Sequence, residues 1–182
     1  MTRRAIAIHE ASHAVVGLCL GRRGLLKRIS IMATPEMKGG CHWSVSKGKC
    51  PPEERGQELG ILLAGPIGQT IFATDSLGDY AEAFELTIFQ SEDILEKAGC
   101  AGWASTDLNL FLALRRRNWP TDQFEDVERL IRPLLMRPSV ASAIMKLAES
   151  LETHEELDGI EGERIIEKHL QPEDYVGKEY LQ

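Results

Sequence analysis

The sequence predicts a mainly α-helical (α+β) fold, with one small β-sheet or hairpin near the N-terminus. Apolar residues recur at spacings of three and four over most of the chain, which is the period of amphipathic helices. Period-two alternation is confined to a short stretch between residues 27 and 46 that is bounded by Gly and Pro, which is typical of a hairpin. The 182 residues are enough for one buried core, so we expect a single domain over residues 1–182.

The first predicted helix spans residues 3–20 and has the clearest helical periodicity of the chain. Thr2 is placed to cap its N-terminus, because a threonine hydroxyl accepts hydrogen bonds from the first free backbone N–H groups. Gly21 and Gly24 then end the helix. The two strands of the predicted hairpin are residues 27–33 and 41–46.

A second apolar helix is predicted from residue 53 to Phe72 and is interrupted at Gly65 and Pro66, because proline lacks the N–H that a helix interior needs. Pro133 and Pro138 punctuate the later helical segments. Another helix is predicted at residues 79–98, and Ser105 or Thr106 caps a further one that carries Leu108 to Leu114. The last predicted helices are residues 124–136, 139–151 and 160–170. A turn at Leu157-Asp158-Gly159 precedes the last of them.

Composition excludes several classes of partner. Hydrophobic residues make up 43% and charged residues 27% of the chain, which is the balance of a globular protein. The net charge of −7 argues against nucleic acid and anionic lipid, since both need a basic face. We also expect no membrane span, because no uncharged apolar run reaches the roughly 18 residues required.

The four cysteines lack the close pairing that marks a zinc knuckle or a redox motif. They are Cys19, Cys41, Cys50 and Cys100. With no secretory leader in view at the N-terminus, reduced thiols and a cytoplasmic location are expected.

The segment His9-Glu10-Ala11-Ser12-His13 carries the chemistry. Two histidines four residues apart project from one face of a helix and can bind one tetrahedral Zn²⁺. Glu10 follows the first histidine, where its carboxylate can take a proton from a zinc-bound water and hand it to a leaving amine. The pattern therefore predicts metal-assisted hydrolysis of peptide bonds.

A catalytic zinc needs a third protein ligand, and spacing alone does not select one. The metzincin continuation would need Gly and His where the chain has Val16 and Cys19, so it fails. Cys19 itself is more typical of a small core residue. The acids that stay open are Glu36, Glu53, Glu54, Asp75, Asp79, Asp93 and Asp107.

Taken together, these motifs resemble the peptidase domain of the FtsH-type ATP-dependent zinc metalloproteases. Members carry a helix reading HEAGHA, and residues 9–14 read HEASHA. A strand, an edge strand and a helix opening on LGGRAAEE correspond to residues 29–33, 40–45 and 62–70. A Leu-Asp-Gly element before a short helix recurs at residues 157–159.

The resemblance implies a third ligand and a set of partners. The family places its third zinc ligand in an Asn-Asp-Leu element, which is similar to Thr106-Asp107-Leu108, so Asp107 is the implied ligand. Polypeptides are the implied substrate. Family peptidase domains assemble as hexameric rings, which implies a homo-oligomer, and the absence of a nucleotide-binding loop here implies that any ATPase is a separate partner.

The chain departs from the family at two places. Its counterpart of the GGRAAEE stretch is AGPIGQT at residues 64–70, so Gln69 and Thr70 stand where the family has carboxylates. An extra segment, roughly residues 73–100, precedes Asp107.

Two functional hypotheses follow. In the first, the chain is a zinc endopeptidase with His9, His13 and Asp107 as ligands and Glu10 as base, and substrate adds as a strand near residues 40–45. His42 and Trp43 would line that cleft, although an exposed strand position and core cover are their more ordinary roles. In the second, the chain is a non-catalytic relative that binds metal or a partner as an adaptor or regulator. Retention of Glu10 favours the first, since a structural zinc site needs no base.

Overall fold

The computed structural model describes residues 2–32, 39–44, 55–73 and 121–181. The predicted helices 79–98 and 105–114, together with Asp107, Cys50 and Cys100, lie outside the described residues. Within them the fold is mainly helical with a small three-stranded antiparallel sheet, as predicted. Its elements in chain order are helix α1 (Arg3–Cys19), strands β1 (Leu26–Ser30) and β2 (Gly40–Trp43), helices α2 (Arg55–Phe72), α3 (Thr121–Leu135) and α4 (Pro138–His154), strand β3 (Glu156–Asp158) and helix α5 (Gly159–Glu167), followed by two 3-10 turns at Pro172–Asp174 and Lys178–Leu181.

Helix α1 lies at the centre of the described fold. The Thr2 hydroxyl accepts a hydrogen bond from the Ala5 N–H at 3.2 Å, which confirms the predicted cap. Helices α2 and α4 pack on α1, and the sheet covers another side. As a result every residue from Ala7 to Cys19 is buried. Polar residues of this helix are therefore enclosed, where each needs a hydrogen-bond or ionic partner.

The sheet has the order β2-β1-β3, so the predicted hairpin is present and β1 is its central strand. Between Leu26 and Arg28 the β1–β2 register shifts, and both Lys27 and Arg28 are exposed. This bulge explains why the β1 pattern does not alternate strictly, since an extra residue in one strand interrupts the two-residue period.

Two local predictions were wrong. The predicted turn Leu157-Asp158-Gly159 is instead the end of β3 and the start of α5, with Asp158 capping that helix by accepting from the Glu161 N–H at 2.8 Å. Pro66 lies inside the continuous helix α2 and does not interrupt it, whereas Pro133 lies inside α3, as in the predicted helix 124–136. Packing of these helices on the core outweighs the cost of a missing N–H, as tertiary context often does.

None of the helices in the described ranges is long and apolar enough to cross a membrane.

Candidate metal centre

Helix α1 brings His9, Glu10 and His13 together in the interior. Their exposed fractions are 5%, 8% and 5%. Polar side chains at this depth cost free energy unless their hydrogen-bonding groups are satisfied. Their partners therefore reveal what the site is arranged to hold.

Helix α2 supplies an acceptor to each imidazole. His13 Nδ1 lies 2.6 Å from the carbonyl oxygen of Ile61, and His9 Nδ1 lies 3.2 Å from Gln69 Oε1. A carbonyl oxygen can only accept, so His13 carries its proton on Nδ1. His9 likewise carries its proton on Nδ1, because the Gln69 amide turns its oxygen, an acceptor, towards this nitrogen. Metal-binding histidines typically donate one ring N–H to a carbonyl or carboxylate in this way, which orients the other nitrogen.

The remaining ring nitrogens point at each other. His9 Nε2 and His13 Nε2 are 3.0 Å apart, and the rings meet edge to face with centroids separated by 4.7 Å. With Nδ1 protonated in both rings, two lone pairs converge, and this is favourable only with a proton or a cation at that point. Two nitrogens on one tetrahedral zinc would be separated by about 3.3 Å, given Zn–N bonds of ~2.0–2.1 Å. The separation of the two nitrogens is therefore compatible with two of the four ligand positions of a zinc ion.

Two glycines of α2 make room for this arrangement. A Cβ on Gly65 would lie 2.7 Å from His9 Nε2 and 2.6 Å from His13 Cε1, closer than such contacts occur. A Cβ on Gly68 would collide with the Ser12 hydroxyl, which donates to the Ile8 carbonyl at 2.7 Å. Gly65 thus lies directly against both histidines, and any side chain there would displace them.

Glu10 lies where the chain enters strand β2. A Cβ on Gly39, the residue before β2, would be 2.8 Å from Glu10 Oε1 and 3.0 Å from the Ser30 carbonyl oxygen. Only glycine fits between the carboxylate and β1 at this point. The candidate base is therefore adjacent to the beginning of the edge strand.

The other predicted site residues have different surroundings. Cys19 is fully buried, and burial together with the nearby Asp174 carboxylate raises the pKa of its thiol to about 12. A thiol so hard to ionise is a core residue rather than a ligand, in agreement with its more ordinary role. His42 is partly buried on β2 beside Arg28, and Trp43 packs against the core.

Two further histidines lie near the C-terminus. His154 is exposed, whereas His169 is partly buried with Nδ1 3.2 Å from the Ser142 hydroxyl. Among the described residues no group of three His, Cys, Asp or Glu is placed to hold a metal, and Asp107 is outside them. The sequence motifs do not indicate that Gly65 and the carbonyl of Ile61 belong to the site. For Gln69 the sequence indicates only a departure from the family stretch.

Comparison with known proteins gives one informative match. The chain is 27% identical over 107 residues to the ATP-dependent zinc metalloprotease FtsH of Chlamydia trachomatis serovar L2, a match that covers 58% of this chain. It spans only 11% of that protein's length. No protein-family model matches the chain. The similarity supports a distant relationship to FtsH, at the coarse level of a protease family.

Proposed function

We propose that this chain is a zinc-dependent metallopeptidase that hydrolyses peptide bonds of unfolded proteins or peptides, built as one FtsH-like domain over residues 1–182. The observation that carries the proposal is the convergence of His9 Nε2 and His13 Nε2 at 3.0 Å, with both Nδ1 atoms at acceptors of α2. The distant relationship to an FtsH zinc metalloprotease supports it.

The residues divide into ligands, orienting groups and a base. His9 and His13 hold the metal, while the Ile61 carbonyl and Gln69 orient the two rings. Asp107 is the third ligand on the strength of the family resemblance alone. Zinc in this place supplies a Lewis acid that polarises a carbonyl and lowers the pKa of water. Glu10, enclosed at 8% exposure, takes a proton from the attacking water and returns it to the leaving amine.

Strand β2 is the proposed docking edge for substrate. It is a terminal strand of the described sheet, and its first residue follows Gly39, which lies against Glu10. An extended polypeptide that adds to this edge gains backbone hydrogen bonds with little sequence preference. Flexible chains fit such an edge, and folded substrates would need a separate ATPase to unfold them.

Metal content tests the site directly. Purified protein is analysed by plasma mass spectrometry as wild type and as His13→Ala, Asp107→Ala and the control His154→Ala, which removes an exposed histidine. We expect near-stoichiometric zinc in the wild type and control, and a loss in the other two. Zinc that is absent and cannot be added back would contradict the proposal. If Asp107→Ala still binds zinc, the two histidines remain the proposed ligands and Asp107 is excluded as the third.

The Glu10→Gln variant then tests catalysis. It should bind zinc normally but lose cleavage of casein, because the amide cannot accept the proton. A wild-type protein that binds zinc and cleaves neither casein nor unstructured peptides would support the non-catalytic alternative, a metal-binding adaptor or regulator.

A further inference from the structure

Helix α1 ends in a motif that places Arg22 at a defined position. The Gly21 N–H donates to the Leu18 carbonyl at 3.0 Å, and the Arg22 N–H donates to the Gly17 carbonyl at 2.9 Å. Gly21 has φ of +94°. This is a Schellman ending, in which an apolar contact normally joins the residue after the glycine to the last turn of the helix.

Here the indole of Trp43 occupies that place. A Cβ on Gly17 would lie 3.3 Å from Trp43 Cζ3 and closer still to two other ring atoms, so the ring lies flush against the helix backbone. The Arg22 guanidinium lies over the same ring, with Cζ 5.9 Å from the centroid. This distance is within the range of a cation–π contact. Trp43 thus contacts both Gly17 and Arg22.

Arg22 is itself fixed from a second direction. Its side chain is 5% exposed and pairs with the carboxylate of Glu58 on α2, whose side chain is 34% exposed. A buried guanidinium is tolerated only when it is paired, so the contact with Glu58 determines where the guanidinium lies. The position of Trp43 therefore depends on α2 as well as α1.

Trp43 ends strand β2, and the other end of that strand lies beside Glu10. Gly39 contacts the Glu10 carboxylate, and Trp43 contacts Gly17, about two helical turns further along α1. Strand β2 therefore runs alongside α1, with the candidate base at its start and the Trp43 contact at its end.

From this geometry we infer that Arg22, Trp43 and Glu58 form a lock that fixes edge strand β2 on α1 and so positions an incoming polypeptide relative to Glu10. The inference rests on the proposed function. Arg22 and Glu58 are positioning residues in this scheme, because they act on substrate through Trp43 and β2.

Kinetics and hydrogen exchange test the lock together. Trp43→Leu removes the ring, and Arg22→Lys keeps a charge for Glu58 but loses the flat guanidinium. In both variants we expect KM for a fluorescent casein peptide to rise on the order of tenfold, as for loss of a desolvated cation–π contact, with kcat and zinc content unchanged. Amides of residues 40–44 should exchange faster, while those of β3 should not. Trp43→Phe keeps an aromatic face, so its KM and its amide exchange at residues 40–44 should stay close to those of the wild type.

Two controls separate positioning from general destabilisation. Arg23→Lys alters an exposed neighbour that pairs with Glu167, and Ile131→Val weakens the core on α3. Neither should change KM. Unchanged exchange at residues 40–44 in both lock variants would overturn the inference whatever the activity, and so would a fall in kcat with KM unchanged. A wild-type protein without peptidase activity would overturn the proposed function instead, and the exchange measurement would still decide whether the lock exists.

Discussion

The two ends of the α1–α2 interface use polar side chains in opposite ways. One end of the interface, here called the cap end, lies at the C-terminus of α1. There Arg22 pairs with Glu58, and Gln57 Nε2 donates to the Leu20 carbonyl at 2.5 Å. Donor meets acceptor there, and the groups complete each other. At the site end, α2 acceptors orient His9 and His13 so that two acceptor nitrogens face each other.

The difference shows how one helix pair can serve stability and function. A closed set of donors and acceptors contributes to folding without any added component. Two converging acceptors are accommodated by a shared proton or by a cation, so they provide a place for a metal ion at some cost to the metal-free fold. Substitutions at the two ends should therefore separate zinc affinity from stability.

The largest effect is expected at Gly65. The new methyl of Gly65→Ala would lie within contact distance of both imidazoles and push the ligands apart, so zinc affinity should fall about 100-fold, the upper range for disturbing the support of a metal ligand. Titration against a competing chelator measures this.

Gly60→Ala at the cap end is the matched control for Gly65→Ala. A Cβ there meets the side-chain tips of Leu181, Ile131 and Leu20, which can move. The overpacking is offset by better helix propensity, so stability should stay within about 1 kcal/mol of wild type and zinc affinity should not change. Equal zinc loss in the two variants would mean that the two ends do not differ as described.

An intermediate effect is expected at Gln69. Gln69→Ala removes the acceptor at His9 Nδ1 and should weaken zinc binding about tenfold. Gln69→Glu restores the carboxylate of the family stretch and should bind zinc at least as tightly as wild type, because a charged acceptor makes the stronger hydrogen bond. Thr70→Ala is the control, since the Thr70 hydroxyl donates to the Pro66 carbonyl within α2. Identical affinities for Gln69→Ala and Thr70→Ala would exclude the orienting role.

The smallest effect is expected on the outer face of the sheet, away from both ends. Partial burial and the Arg28 guanidinium lower the pKa of His42 below its ordinary 6.5, against the opposing charge of Glu156. Above pH 6.5 the imidazole is neutral in both states and stability is unaffected. As the pH falls below 6.5 the unfolded chain takes up the proton first, so stability falls until the lower folded pKa is passed.

Urea unfolding at several pH values, compared between wild type and His42→Gln, measures the contribution of His42. The difference between the two proteins should change between pH 7 and pH 5 and be constant above pH 7. A difference that does not vary with pH would show that His42 titrates normally in the fold.

Local patterns predict those parts of this molecule that local interactions determine. The fold class, the Thr2 cap, helix α1 and the hairpin are confirmed. The sequence does not predict strand β3, because three residues are too few to show the alternation of a strand. They are extended because they pair with β1 across the chain. The sequence predicts a break at Pro66 because the cost of a proline is local, whereas the packing that outweighs this cost is not.

The candidate site divides in the same way. The HEASH spacing predicts that His9 and His13 share a face, and the structure brings their rings together. The roles of Gly65 and Gln69 come from the packing of α2 on α1, which no motif in α1 encodes. Their only signal in the sequence was that the 64–70 stretch departs from the family. The role of Asp107 stays a prediction.

Strand β1 has a consequence for how this protein folds. It pairs with β2 on one side and with β3 on the other, and β3 lies far along the chain. The Gly177 N–H also donates to the Cys19 carbonyl at 3.1 Å. Contacts so distant in sequence raise contact order and slow folding. The HEASH segment of an emerging chain is therefore made well before the distant residues that help enclose it, and the candidate site should be enclosed only late in folding.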